Sequence, residues 1–290
     1  MVISKTPFEY QLSQEDIDSF HENGFTGIYQ VCTPDEMAEI CSKIDRDVIG
    51  TPSDLYGFDT GRDRHLDRKI IYDLITRPAI AERVAQVLDP DTQIWRSNFF
   101  FKPPGAPETV WHQTNVFKEF VDHPILEPND PDSLFQVTVW IAIEEANLAN
   151  GCVQLIPGTH KKLAPIVKTD EEVKGDDTYG YDKQGFFGYN LKREVNFEPS
   201  SVVSMECKPG EFFIFTQRTM HGSPPNNTDK RRLAINFRAI KTDVKAYHHF
   251  LSEEKIEHYG HVFDLTRWGC VQLSGEDRFG YNRIARPPVQ

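Results

Sequence analysis

The sequence predicts an α+β protein in which helices come first and a double-sheet jelly roll follows. Three observations carry this expectation. Helix caps and helical apolar spacing are confined to roughly the first ninety residues. Beyond them, short segments rich in Val, Ile, Phe and Trp succeed one another. Pro, Gly and Asn turns divide those segments, as packed antiparallel sheets require.

The first helix is capped by Ser13 with Asp16 three residues on, carries Ile17 and Phe20 on one face, and stops at Gly24. The second opens with Thr33 at the cap and Pro34 in its first turn, and its stripe is Met37, Ile40, Cys41 and Ile44. A third covers 79–88 and is closed by Asp89-Pro90. Strands are expected over Thr92–Lys102, Phe135–Glu144, Val153–Ile156, Ser201–Glu206, Glu211–Thr216 and Arg232–Ala239. Two long segments fit neither period: 118–133, with three prolines and five acidic residues, and 161–200, polar and Gly-rich. Segments of this length serve as lids or binding surfaces, or are disordered insertions. The chain reads as one domain over 1–290. A helical flank at 1–90 precedes a core at 91–240 that carries both insertions, and an extension at 241–290 follows.

The 290 residues are 39% hydrophobic and include 20 Phe, enough for one sizeable core. A formal charge of −12 disfavours nucleic acid or an anionic membrane as the main partner. Five cysteines, an odd count without a Cys-x-x-Cys pair, fit a reduced, cytoplasmic protein. No apolar run approaches the length of a membrane span, and the first residues lack the apolar stretch of a signal peptide.

Two histidines draw the functional reading. His112 lies in Trp111-His112-Gln113-Thr114 and is expected at the entry of a strand, after the Pro-Pro-Gly-Ala-Pro turn at 103–107. His221 lies in Met220-His221-Gly222-Ser223 and is expected at the end of the strand that holds Phe212–Phe215. They are 109 residues apart, so only the fold can bring them together. An isolated histidine is more often a surface or satisfied core residue than a ligand. Two on neighbouring strands, however, are what a facial-triad Fe(II) centre needs, with a carboxylate two residues after the first. That position holds Thr114, which cannot supply an anionic oxygen. Arg232, eleven residues past His221, heads an alternating strand, and an inward arginine there is costly unless it holds a carboxylate. Thr138 and Trp140 share one face of another strand, where Trp140 alone would read as core packing.

Trp111-His112-Gln113, Ala149-Asn150-Gly151-Cys152 with Ile156-Pro157-Gly158-Thr159, Met220-His221 and Arg232 together resemble the phytanoyl-CoA dioxygenase superfamily of Fe(II)/2-oxoglutarate enzymes. Within it the set is most similar to the carrier-protein-dependent aliphatic halogenases of the syringomycin threonine halogenase type. Asp63-Arg64-His65-Leu66, Trp95-Arg96 before Phe99-Phe100, Gly185-Phe186-Phe187-Gly188-Tyr189 and Tyr281-Asn282-Arg283 follow in the same order, so the resemblance covers nearly the whole chain.

The resemblance implies a double-stranded β-helix, the cupin-like jelly roll. It implies Fe(II) on His112 and His221, 2-oxoglutarate gripped by Arg232 with Thr109 and Trp140 beside it, and O2 as co-substrate. Thr114 falls where the halogenases carry alanine or glycine and the hydroxylases aspartate, so chloride, or else water, takes the coordination position. Its branched Cβ leaves that anion less room than alanine would. Thr138 and Arg238 match residues near the halide, and Phe187 one that lines the substrate pocket. The implied reaction chlorinates an unactivated C–H of an aminoacyl group, held on the phosphopantetheine arm of a peptidyl or acyl carrier protein, in antibiotic biosynthesis. Two readings stay open beside it: a hydroxylase or desaturase with water in place of the carboxylate, and a catalytically dead binding protein.

Overall fold

The N-terminal helices form where their caps predict. The computed structural model describes residues 9–113, 123–168, 191–193, 198, 201–258 and 261–289. Helix α1, Gln14–Asn23, starts on a reciprocal cap: the Ser13 hydroxyl accepts the Asp16 N–H at 3.1 Å, and the Asp16 carboxylate accepts the Ser13 N–H at 3.2 Å. It ends on Gly24 in the left-handed region, φ 87°. Helix α2, Pro34–Asp47, starts on Thr33, whose hydroxyl accepts the Glu36 N–H. Helices α3, Lys69–Ile75, and α4, Pro78–Val87, complete the flank, and α5, His248–Glu253, lies near the C-terminus.

The strands in chain order are β1 Phe25–Gln30, β2 Thr92–Lys102, β3 Thr109–His112, β4 Leu126–Pro128, β5 Gln136–Ala142, β6 Val153–Ile156, β7 Ile166–Lys168 and β8 Leu191–Arg193. They continue as β9 Val203–Met205, β10 Glu211–Thr216, β11 Met220–Ser223, β12 Arg232–Lys241, β13 Val244–Ala246, β14 Lys255–His258, β15 His261–Asp264 and β16 Val271–Ser274. The main sheet runs β1-β10-β5-β12-β2-β16 and a second runs β3-β11-β6-β9, with antiparallel pairing in both.

Period-two alternation sorts the main sheet. On β12, Leu233, Ile235, Phe237 and Ala239 pack with Phe20, Met37, Ile44 and Val84 of the helices. Each such fully buried aliphatic or aromatic side chain contributes about 2 kcal/mol by area, which holds the flank on the sheet. The alternate positions, Arg232, Ala234, Asn236 and Arg238, face the other way. On that inner face Trp140, Phe213, Phe215 and Ala234 meet Val153, Leu155 and Met205 of the second sheet. The polar residues of β12 are therefore turned toward the space between two sheets.

Three local expectations change. An edge strand, β1, separates the first two helices; its exposed Gly27-Ile28 gives no alternating signal. Helix α3 follows the Asp63–Leu66 segment, where a short seven-residue element carried too little periodicity to be read. The 118–133 and 161–200 segments contain β4 and the β7–β8 pair. Thr114 and Phe187 lie outside the described residues. Among those described, no helix is long and apolar enough to cross a membrane.

Candidate metal centre and anion pocket

Both histidines come from the second sheet, and they are direct cross-strand partners: His112 pairs with His221 in the β3–β11 ladder. His112 closes β3 rather than opening a strand, because the 103–107 turn leads into Thr109 first. His221 lies within β11, not at the end of β10, since a turn at 216–219 separates the two strands. Gly222 lets the strands approach, for a Cβ there would sit 2.9 Å from the Thr109 carbonyl oxygen.

The rings lie 4.0 Å apart between centroids. Each Nδ1 is 2.8 Å from a backbone carbonyl two residues back, Val110 for His112 and Thr219 for His221. A carbonyl only accepts, so each Nδ1 carries a hydrogen, and in the neutral ring the lone pair is then on Nε2. That is the tautomer a metal needs. Loss of hydration, with His112 beside it, holds His221 well below the ordinary imidazole range. It is thereby a neutral nitrogen donor at neutral pH. Among the described residues no third His, Cys, Asp or Glu joins the pair to make a metal-binding group.

Gln113 fixes the segment that carries His112. Its fully buried amide donates to the carbonyls of Thr159, Lys162 and Arg218, and its oxygen accepts the Ala164 N–H at 2.8 Å. Thr159 in turn accepts the N–H of Met220, the residue before His221. The Trp-His-Gln and Ile-Pro-Gly-Thr motifs thus act as one clamp on both histidine strands.

Arg232 opens β12 on the inner face. It is 5% exposed, its Nη1 donates to the Gly151 carbonyl at 2.8 Å, and its Nε is buried with no hydrogen-bond partner among the described residues. Its guanidinium carbon lies 5.5 Å from the centre of the Trp140 ring, which stacks on Phe213. Burial lowers its pKa to about 10. The Ala-Asn-Gly-Cys turn serves it directly. Asn147 and Asn150 exchange hydrogen bonds that shape the turn, and Gly151, φ 83°, presents its oxygen where any Cβ would strike Pro224.

A second cation stands opposite. Lys102 on β2 pairs with Arg232 and is 2% exposed. Its Nζ donates to Ser223 Oγ at 2.7 Å and to the Pro224 carbonyl, and Ser223 donates on to Thr109 Oγ1 at 3.2 Å. Burial, then the nearby Arg232 charge, lower its pKa to about 7. Neither Lys102 nor Ser223 was legible in the sequence as a site residue. The available signal was a lysine closing a strand directly after Phe99-Phe100-Phe101. Two desolvated cations facing each other are unfavourable until an anion joins them. A dicarboxylate end fits that pocket, and an Nε2 pair fits a divalent metal.

Two predicted residues fall on the same wall. Thr138 is opposite Phe215 on one side and Arg238 on the other, and Phe215 meets the His221 ring edge-on at 4.9 Å. Arg238 is close enough for its charge to lower the proton affinity of His221. The structure thus brings together Thr109, His112, Thr138, Trp140, His221, Arg232 and Arg238 around the inner face.

A family model for phytanoyl-CoA dioxygenase (PhyH) matches residues 20–234. The chain belongs to the phytanoyl-CoA dioxygenase family. The matched span contains every residue of this site except Arg238. A phytanoyl-CoA dioxygenase of Arabidopsis thaliana is 29% identical over 151 residues, covering 52% of this chain and 45% of that protein. This chain therefore spans less than half the length of that relative. Dioxygenase lolE1 of Epichloe uncinata is 23% identical, covering 77% of this chain and 81% of its own. The solved structure of CytC3 with Fe(II) and alpha-ketoglutarate is 28% identical with a TM-score of 0.74, covering 96% of this chain and 94% of that one.

Proposed function

We propose that this phytanoyl-CoA dioxygenase family member is an Fe(II)/2-oxoglutarate enzyme with a double-stranded β-helix core, which chlorinates an unactivated C–H of an amino acid. The observation that carries the reading is the donor set: two cross-strand histidines whose Nδ1 atoms bond backbone carbonyls and leave Nε2 for a metal, with threonine in the sequence two residues after His112, where a facial triad carries its carboxylate. Loss of the carboxylate has a chemical purpose if chloride takes its place on the metal. A carrier protein bearing an aminoacyl phosphopantetheine is the partner for this reaction where the substrate is a thioester.

Fe(II) with 2-oxoglutarate and O2 supplies, when bound, the oxidising power to break an aliphatic C–H bond. The chain's residues do the rest. His112 and His221 would hold the metal, with Gln113 fixing their strands. Arg232 and Lys102 would hold the distal carboxylate of 2-oxoglutarate, with the Thr109–Ser223 hydroxyl pair beside it and the Trp140 face along its carbon chain. Arg238 and Thr138 would stabilise the halide with charge and a hydroxyl. The packed Phe213, Phe215 and Trp140 rings exclude water from that wall.

The test is an anaerobic optical titration with Fe(II) and 2-oxoglutarate, then with chloride and bromide. The expected result is a charge-transfer band that needs both cofactors and shifts with the halide. A band indifferent to halide turns the reading to a hydroxylase or desaturase with water in the open position. No band at all turns it to a binding protein.

The same titration carries a pH prediction. Protonated Lys102 attracts the distal carboxylate and neutral Lys102 does not. The 2-oxoglutarate affinity should therefore be full below pH about 7 and fall as pH rises through and above it. Loss of one charge-assisted contact amounts to roughly tenfold. Lys102→Met should bind at the weakened level throughout and lose the dependence. A wild-type affinity flat over this range would remove Lys102 from the pocket.

A further inference from the structure

Beyond Arg238 the inner face of the main sheet carries a polar patch that the reaction described so far does not use. Across β12 and β2, Arg238 pairs with Arg96 and Asn236 pairs with Asn98. Arg96, Asn98 and Asn236 are 5%, 7% and 6% exposed. Arg96 Nε, Asn98 Oδ1 and Asn236 Oδ1 are buried with no hydrogen-bond partner among the described residues. Leaving such buried groups without a partner is unfavourable, and more so for a charged one. None of the inward ladder positions from Phe215, Thr138, Arg238 and Arg96 through to Arg232 and Lys102 carries an acid.

The patch is also held rigid from behind. Ser97, between Arg96 and Asn98, points to the opposite face. There its N–H donates to Asp63 at 3.0 Å and its hydroxyl meets His65 Nδ1 at 2.7 Å. Asp63 is fixed in turn by the Tyr56 hydroxyl at 2.6 Å. The Asp-Arg-His-Leu motif thereby buttresses the stretch of β2 whose inner side presents Arg96 and Asn98.

We propose that Arg96, Asn98 and Asn236 form the substrate subsite, which takes the α-carboxylate and α-ammonium groups of a free amino acid. This inference rests on the Fe(II)/2-oxoglutarate reading and specifies its substrate class. The planar fork of Arg96 suits a carboxylate. The two asparagine oxygens need donors, which an ammonium group supplies. A halide satisfies neither oxygen, because it only accepts. The distal carboxylate of 2-oxoglutarate, at Arg232, is out of reach of Arg96, which pairs with Arg238 six residues further along β12, roughly 20 Å between Cα positions. An aminoacyl thioester on a carrier protein has no carboxylate to offer Arg96, so the subsite selects against it.

The test titrates the anaerobic protein, loaded with Fe(II) and 2-oxoglutarate, with the proteinogenic L-amino acids, their methyl esters and their N-acetylcysteamine thioesters. The readout is perturbation of the iron–2-oxoglutarate absorbance. At least one free acid should perturb it, with its ester and thioester weaker by about tenfold or more. Arg96→Gln should weaken that acid about a hundredfold and Asn98→Ala about tenfold, while 2-oxoglutarate itself titrates as in wild type. The inference is overturned if no free acid perturbs the band, if thioesters match acids, or if R96Q weakens 2-oxoglutarate. Absence of the band in wild type overturns the Fe(II)/2-oxoglutarate reading instead. Calorimetric titration of the same free acids into the protein then decides the subsite: binding lost in R96Q upholds it, and no binding overturns it.

Discussion

Arg232→Ala is expected to weaken 2-oxoglutarate binding by about a hundredfold or more while leaving the protein folded. Removing one partner from a buried ion pair costs about 3–5 kcal/mol, and 1.4 kcal/mol is a factor of ten. The apo protein should not suffer. Arg232 is buried, donates to one backbone carbonyl, faces Lys102, and keeps an unsatisfied Nε, so its removal relieves desolvation and repulsion there. The thermal midpoint should hold steady or rise, which separates lost binding from lost structure. Arg232→Lys should recover only part of the affinity, because an ammonium keeps the charge but not the bidentate fork. The measurement is 2-oxoglutarate half-saturation of the Fe(II) charge-transfer band under anaerobic conditions, with His221→Ala, which should give no band, as the control. Wild-type half-saturation in R232A would place the cosubstrate's anchor elsewhere and remove the reason for a buried arginine on β12.

What was readable in advance followed from the kind of signal each element carried. Helices α1 and α2 announce themselves through caps, and β2, β6 and β10 occupy the residues their composition and flanking turns mark out. Strand β1 has exposed positions and a glycine inside it, so it makes no pattern; only β10 gives it a partner. The two histidines were identifiable as a pair through the motifs around them, yet their direct pairing across β3 and β11 is a property of register, and register is not local. The same limit hid Lys102 and Asn98. Each looks unremarkable in the sequence, and each acquires meaning only when the β2–β12 ladder sets it against Arg232 or Asn236. Gln113 was part of a quoted motif, but its role required the loop at 159–164 and the Arg218 carbonyl to close around it.

Thr114→Asp is expected to abolish the halide response while raising Fe(II) affinity. An aspartate immediately after the clamped Gln113 supplies the anionic oxygen that the histidine pair lacks, completing a set of two imidazoles and one carboxylate. Binding an anion next to that carboxylate then means two like charges about 4 Å apart. At an effective dielectric near 20 their repulsion is about 4 kcal/mol, close to a thousandfold in affinity. Chloride and bromide should no longer shift the charge-transfer band of T114D, whereas its 2-oxoglutarate titration, set by Arg232 and Lys102, should match wild type. Fe(II) retention against a chelator should improve, because three ligands replace two. Two outcomes would count against a halide on the metal. A band that still shifts with bromide in T114D means the halide sits elsewhere on the wall, with Arg238 as its charge. Wild type and T114D equally blind to halide means that the open position takes water, and oxygen rather than chlorine is then the atom the substrate gains.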